Sequence, residues 1–149
     1  MRAVIQRVME ASVTVSGKSV ASIGRGILVL AGFHESDTDE DREYVINKIL
    51  GARIFNDAAG IMNLSVTDTG GEILLVPQFT LYGDLRKGKR PSYSAAMKPD
   101  SAREAFDSFV DRCRSRYAKT RAGVFGADMK VSLVNSGPVT ILLDSSRIF

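Results

Sequence analysis

The first 33 residues, MRAVIQRVMEASVTVSGKSVASIGRGILVLAGF, constrain the fold more than any other part of the chain. Val4, Gln6 and Val8 alternate with Ile5 and Arg7, and the alternation resumes over residues 11–16. A period of two puts successive side chains on opposite faces of a strand. Ser16, Gly17 and Lys18 form one hairpin signal, and Gly24, Arg25 and Gly26 form another. Residues 26–33 are a continuous apolar run, suited to a central strand. The chain therefore opens with antiparallel strands.

The period then changes. In SDTDEDREYVINKIL, Asp37 or Thr38 can cap a helix, acids fill its first turn, and Val45, Ile46, Ile49 and Leu50 form an apolar stripe. The helix dipole explains the acids better than a metal does. Residues 53–56 read as a short strand with a turn over 56–60, and residues 72–82 as a long strand broken at Pro77. A basic loop over 83–99 leads to a second helix over 100–117, with Phe106, Phe109, Val110, Cys113 and Tyr117 at helical spacing. Residues 130–144 return to strand character. Mixed sheets with helices packed to one side follow from this order. The 149 residues fit one domain, 1–149, large enough to bury a core without disulfides.

One cysteine, Cys113, fits a reducing compartment and reads as a core residue on the second helix. No apolar run is long enough to span a bilayer, and residues 1–3 lead straight into a strand pattern. The expectation is a cytoplasmic protein with no membrane partner. The net charge is +3, but its placement is uneven. Residues 86–90, RKGKR, put four cations in five positions, and Arg112, Arg114, Arg116, Lys119 and Arg121 form a second group. Either group could track phosphates, and either could be a solvated surface.

Familiar catalytic apparatus is missing. With one histidine, His34, and one cysteine, an N/S zinc site is not expected, and no metal or cofactor is. His34 reads as a lone surface histidine. There is no G-x-S-x-G elbow and no glycine-rich phosphate loop. What remains is backbone chemistry in two stretches, VPQFTLYGD (76–84) and VNSGPVT (134–140). Amides presented by a turn can stabilise an oxyanion without any titrating residue. Thr80 could be a nucleophile or only a strand threonine. In the second stretch Gly137 and Pro138 interrupt an apolar run with the two residues least suited to a strand interior.

The segments MRAVIQRV, IGRGILVLAG, KILGARIFND, MNLSV, QFTLYGD, KGKRPSY and GVFGADMKVSLVNSGPVT, in this order across nearly the whole chain, resemble bacterial D-aminoacyl-tRNA deacylases of the D-tyrosyl-tRNA deacylase family. The resemblance implies a three-layer β/β/α sandwich, with barrel-like mixed sheets and two main helices, working as a homodimer with active sites at the subunit interface. It implies hydrolysis of the ester joining a D-amino acid, or glycine misattached to alanine tRNA, to the 3′-terminal adenosine of tRNA. It assigns Gln78, Phe79 and Thr80 to catalysis, with amides near Gln78 and Phe79 holding the oxyanion and the RNA 2′-hydroxyl assisting. It assigns Gly137 and Pro138 to a Gly-cisPro motif that enters the partner's site, and Pro77, Phe125, Gly126, Ala127 and Met129 to substrate binding. Arg86, Lys87, Lys89 and Arg90 are candidates for tRNA backbone contact.

A rigid main-chain wedge would clash with every L side chain, spare D substrates and admit glycine. A ten-thousandfold preference corresponds to about 5.5 kcal/mol. The usual motif has serine before Gln-Phe-Thr-Leu, where this chain has Pro77, which lacks both a hydroxyl and an N–H. A related branch with relaxed chirality also has proline there but lacks the phenylalanine. Phe79 and the Asn-Ser-Gly-Pro-Val-Thr stretch keep the D-selective pattern. Two other readings are a noncatalytic nucleic-acid-binding dimer and an esterase acting on small D-amino acid esters.

Overall fold

The computed structural model describes residues 1–148 of the domain expected over 1–149. Its spine is β1 (Arg2–Val15), which turns through Ser16 and Gly17, both at positive φ, into β2 (Lys18–Ile23). β3 (Gly26–Gly32) returns antiparallel to the first half of β1, from Arg2 opposite Gly32 to Val8 opposite Gly26. β2 takes the second half of the same edge, and β8 (Met129–Asp144) runs along the whole of the other. β6 (Glu72–Pro77) lies parallel to β3, and β7 (Thr120–Ala122) parallel to β6. The result is a nearly closed, barrel-like mixed sheet. A two-stranded ribbon, β4 (Phe55–Asn56) with β5 (Met62–Leu64), stands apart from it.

Two helices cover one side. α1 (Asp39–Gly51) starts at a capping box: the Thr38 N–H donates to Asp41 Oδ2 at 2.9 Å, and the Asp41 N–H donates to Thr38 Oγ1 at 3.3 Å. Its stripe of Val45, Ile46, Ile49 and Leu50 is buried, as the spacing predicts. α2 (Pro99–Arg116) buries Phe106, Phe109, Val110 and Cys113. These side chains meet Ile5, Ile27, Val29, Ile73 and Leu75 in a core between helices and sheet. A second core, inside the curved sheet, joins Val8, Ala11, Val13, Leu28, Leu74 and Val76. Two apolar layers stacked in this way give the expected β/β/α order.

Two expectations need correction. Residues 72–82 do not form one long strand: β6 ends at Pro77, whose missing N–H stops the ladder, and residues 79–82 form a 3-10 turn. The Gly137–Pro138 peptide bond is trans, not cis. Trans is the form an X-Pro bond favours by about 0.5–1 kcal/mol, and the chain turns here by other means.

Candidate active site

Those means can be read from the register. Gln6 pairs with Thr140 and the next pair is Val8 with Asn135, so two steps on β1 face five on β8. The surplus residues leave the ladder as a bulge. Arg7 sits opposite and ties it down: Nε donates to Ser136 O at 3.1 Å, and Nη1 donates to Ile54 O at 2.5 Å. Asn135 Nδ2 donates to Arg7 O at 2.9 Å and to Val139 O at 3.3 Å, closing the base of the bulge. Gly137 has φ +108°, and a Cβ there would collide with the Arg7 guanidinium. Glycine is favoured at this position by its positive φ, and a side chain there would also displace the Arg7 guanidinium. Gly137 and Pro138 form the exposed crest of the bulge.

The other stretch opens onto a cavity of about 780 Å³. Pro77, Gln78 and Phe79 line it where β6 gives way to the 3-10 turn; Phe125, Gly126, Ala127 and Met129 line it from the segment between β7 and β8. The structure thus brings together seven of the residues singled out from sequence, whereas Gly137 and Pro138 are not part of the lining within the same chain. Tyr93, Lys98 and Pro99 complete the wall and were not singled out. Tyr93 meets Phe79 edge to face at 5.1 Å, a pairing that nothing local in the sequence signals.

The amides at the mouth are not equivalent. The Gln78 N–H donates to Ala31 O at 2.7 Å, so it is engaged in the sheet. The turn's first internal bond is from Leu81 N–H to Gln78 O at 3.4 Å, so the Phe79 and Thr80 amides precede any intrahelical partner. The Gln78 side-chain amide donates to Thr80 Oγ1 in a short hydrogen bond. Among the described residues no titratable side chain hydrogen-bonds to Thr80: His34 Nδ1 accepts from the Ser36 N–H at 3.1 Å and meets the Ser36 hydroxyl at 2.8 Å, while its ring rests 5.5 Å from that of Tyr82. Among the described residues no group of three His, Cys, Asp or Glu side chains could hold a metal. Cys113 is buried against Thr120, and burial pushes its thiol pKa up. Burial likewise raises the Tyr82 phenol.

The basic groups separate. Arg112 pairs with Asp39 at 2.8 Å and Glu43 at 3.2 Å, and Arg116 pairs with Glu43 at 3.2 Å. Lys119 donates to Gly70 O at 2.7 Å. Much of the second group therefore braces α2 and its neighbours. In the loop, Arg86 grips Asp84 at 2.7 Å and holds that carboxyl down at about 2. Lys87, Lys89 and Arg90 make no ion pair among the described residues and are exposed. The loop ends at Tyr93, on the cavity wall.

Fold and cavity define a class: α/β proteins in which a nearly closed sheet, flanked by two helices, carries a cleft walled by main chain and apolar side chains. Within it, the chain belongs to the D-Tyr-tRNA(Tyr) deacylase family, which it matches over residues 4–144. Relatives named D-aminoacyl-tRNA deacylase include those of Thermosipho africanus, 54% identical, and Clostridium acetobutylicum, 50% identical, each over the full length of both chains. Among solved structures, the c-Myc DNA Unwinding Element Binding Protein superposes with a TM-score of 0.93 at 44% identity, covering 97% of this chain and 98% of that one. A structure described as "a probable eukaryotic D-amino acid tRNA deacylase", 21% identical with a TM-score of 0.76 over 95% and 97% of the two chains, shares the fold. Among the described residues no helix is long and apolar enough to cross a membrane.

Proposed function

We propose that the chain hydrolyses D-aminoacyl-tRNA, releasing free amino acid and tRNA, and acts in the same way on glycine misattached to alanine tRNA. The observation that carries this reading is the cavity at the end of β6, within the range of small-molecule sites and bordered by the start of a 3-10 turn. An aminoacylated terminal adenosine fits such a space, its base toward Phe125, Gly126, Ala127 and Met129 and its ester toward Phe79. The Phe79 and Thr80 amides are the oxyanion donors, since the Gln78 amide is engaged. An aminoacyl ester is already activated, and its vicinal 2′-hydroxyl positions or activates water, so no protein base is required. Gln78 and Thr80 orient the substrate through their shared hydrogen bond.

Chiral exclusion is assigned to the Gly137–Pro138 crest of a second copy. β8 supports this arrangement. Among the described residues it pairs with β1 alone, and its Val134 and Leu142 are 49% and 56% exposed. Neighbouring strand residues point to opposite faces, so with Val139, Leu143 and Leu133 packed toward the cores, Val134 and Leu142 are left bare on the other face in a single chain. A homodimer that covers them would carry the crest to a neighbour's cavity. Lys87, Lys89 and Arg90, exposed and without an ion pair among the described residues, are the proposed contacts for the acceptor-end phosphates.

A noncatalytic nucleic-acid-binding role is the second reading, favoured by the same unpaired cations. Paired hydrolysis of D-tyrosyl-, L-tyrosyl- and glycyl-tRNA decides between them. Cleavage of the first and third with the second spared is expected; binding without cleavage of any supports the second reading and overturns the first.

A further inference from the structure

Arg103 lies on the second turn of α2, outside every segment that sequence singled out, and its exposed guanidinium is turned onto the cavity wall. Two contacts converge there, and a third group lies close by. Nη1 donates to Phe125 O at 3.3 Å, and the guanidinium carbon lies 5.1 Å from the centroid of the Phe125 ring. Nη2 is 3.1 Å from where a Cβ on Gly126 would stand. Residues 124–127 form a tight turn, closed by Ala127 N–H donating to Val124 O at 3.3 Å, with Gly126 at φ +78°. Glycine serves such a turn because its backbone reaches positive φ without strain.

By itself this turn is weakly held. Val124 is 45% exposed, Gly126 has no side chain to pack, and the closing bond is long. Phe125 is its anchor, held from the core by Phe106, 6.2 Å away, and from α2 by Arg103. The guanidinium bonds the Phe125 carbonyl and lies over its ring at once, using separate arms of a rigid fork that an ammonium lacks. Phe125, Gly126 and Ala127 are also cavity lining. The shape of one wall of the site thus depends on a side chain outside it.

We propose that Arg103 is a positioning residue: it clamps the 124–127 turn in the shape that receives the terminal nucleoside, and so sets substrate affinity without touching the ester. This rests on the function proposed above. Arg103→Lys keeps the charge and loses the fork; Arg103→Met keeps an apolar stem and loses both. In both variants of the full chain, amide hydrogen exchange should quicken about tenfold at residues 126–127 and stay unchanged in β1 and α1. With D-tyrosyl-tRNA, KM should rise about tenfold, equivalent to about 1.4 kcal/mol, with kcat within about twofold of wild type.

A wild-type KM in the Lys variant would reduce Arg103 to a bare charge and overturn the proposal. So would a lowered melting temperature with KM unmoved, or a fall in kcat alone. If the wild-type protein fails to cleave D-tyrosyl-tRNA, the proposed function fails instead, and the exchange measurement alone decides whether Arg103 holds the turn.

Discussion

Replacing Arg7 with methionine tests how the Gly137–Pro138 crest is held. The substitution removes two hydrogen bonds from a cation, one to Ser136 O at 3.1 Å and one to Ile54 O at 2.5 Å, while keeping an unbranched apolar stem. Such bonds contribute about 1.5–3 kcal/mol each when well shielded. Arg7 is only half-buried and water can reach the vacated carbonyls, so a net loss of about 2 kcal/mol is the working figure. In a domain of this size that lowers the melting temperature by about 4–8 °C. The more telling quantity is selectivity. If the crest yields to an L side chain for about 2 kcal/mol less, the preference for D- over L-tyrosyl-tRNA should fall about thirtyfold. The assay is the ratio of initial cleavage rates on the two substrates, measured below the unfolding transition for wild type, Arg7→Met and Arg7→Lys. Lysine can reach one carbonyl and should fall between. A melting temperature that drops as expected with the D:L ratio within twofold of wild type would refute the assignment of discrimination to this corner.

A substrate ending in 2′-deoxyadenosine should be cleaved at least a hundredfold more slowly, on the scale of lost acid–base assistance, while Thr80→Ala keeps most of its kcat; loss with the variant alone would reverse the roles. Replacing Lys87, Lys89 and Arg90 by alanine should reduce the slope of log affinity against log salt by about 2, on single-strand counterion release. Arg112→Ala, whose cation is paired with Asp39 and Glu43, should leave that slope unchanged and lower the melting temperature instead. The Thr38 N–H holds the Asp41 carboxyl below its ordinary pKa of 3.8. Because the folded value is depressed, this stabilisation is present above about pH 4 and is lost as pH falls through the lower folded value. Urea titrations from pH 7 to 3 should show that decline, and Asp41→Asn, which removes the titrating carboxyl, should decline less steeply; Thr38→Ala, which keeps the N–H, should cost about 1 kcal/mol at pH 7 and leave most of the pH dependence in place. Leu142→Glu should shift sedimentation from dimer to monomer and abolish D-selective cleavage, although Leu142 does not line the cavity; a monomer with unchanged selectivity would sink the cross-subunit arrangement.

What could be read from the sequence was local. Residues 38–51 carry their own cap, acidic first turn and apolar stripe, so α1 follows from spacing alone. β1, β2 and β3 follow because Ser16 and Gly17 mark one hairpin turn and Gly24 a second. Pro77 announced a break, yet nothing nearby states that a 3-10 turn comes next. The parallel pairings of β6 with β3 and β7 were not legible, since parallel neighbours are joined by long crossovers that carry no register signal. The same limit explains the second basic group. Arg112 and Arg116 look like phosphate contacts until the docking of α2 on α1 brings them to Asp39 and Glu43. In the site, resemblance supplied Pro77, Gln78, Phe79, Phe125, Gly126, Ala127 and Met129, but Lys98 and Arg103 reach the wall through folds of the chain that no motif records, and Tyr93, though it ends the KGKRPSY segment, carried no assignment.

The proposed filter needs a wall of main chain that does not yield, and that requirement can be traced to β1. A regular strand opposite Arg7 would have paired through and left no crest; the mismatch of two steps against five forces one out. A loose loop of the same length would bend away from an intruding side chain. Here the crest cannot collapse onto Arg7, because the guanidinium already fills the space beside Gly137. Nor can it peel outward without breaking the bonds from Arg7 to Ser136 O and from Asn135 to Val139 O. One restraint comes from Arg7 in β1, at the point where the inward-facing sequence of that strand slips phase between Ile5 and Val8, and the other from Asn135 in β8, at the base of the bulge. Restoring perfect alternation there would strengthen the sheet and remove the crest, so the irregularity that weakens β1 as a strand is what the proposed selectivity depends on.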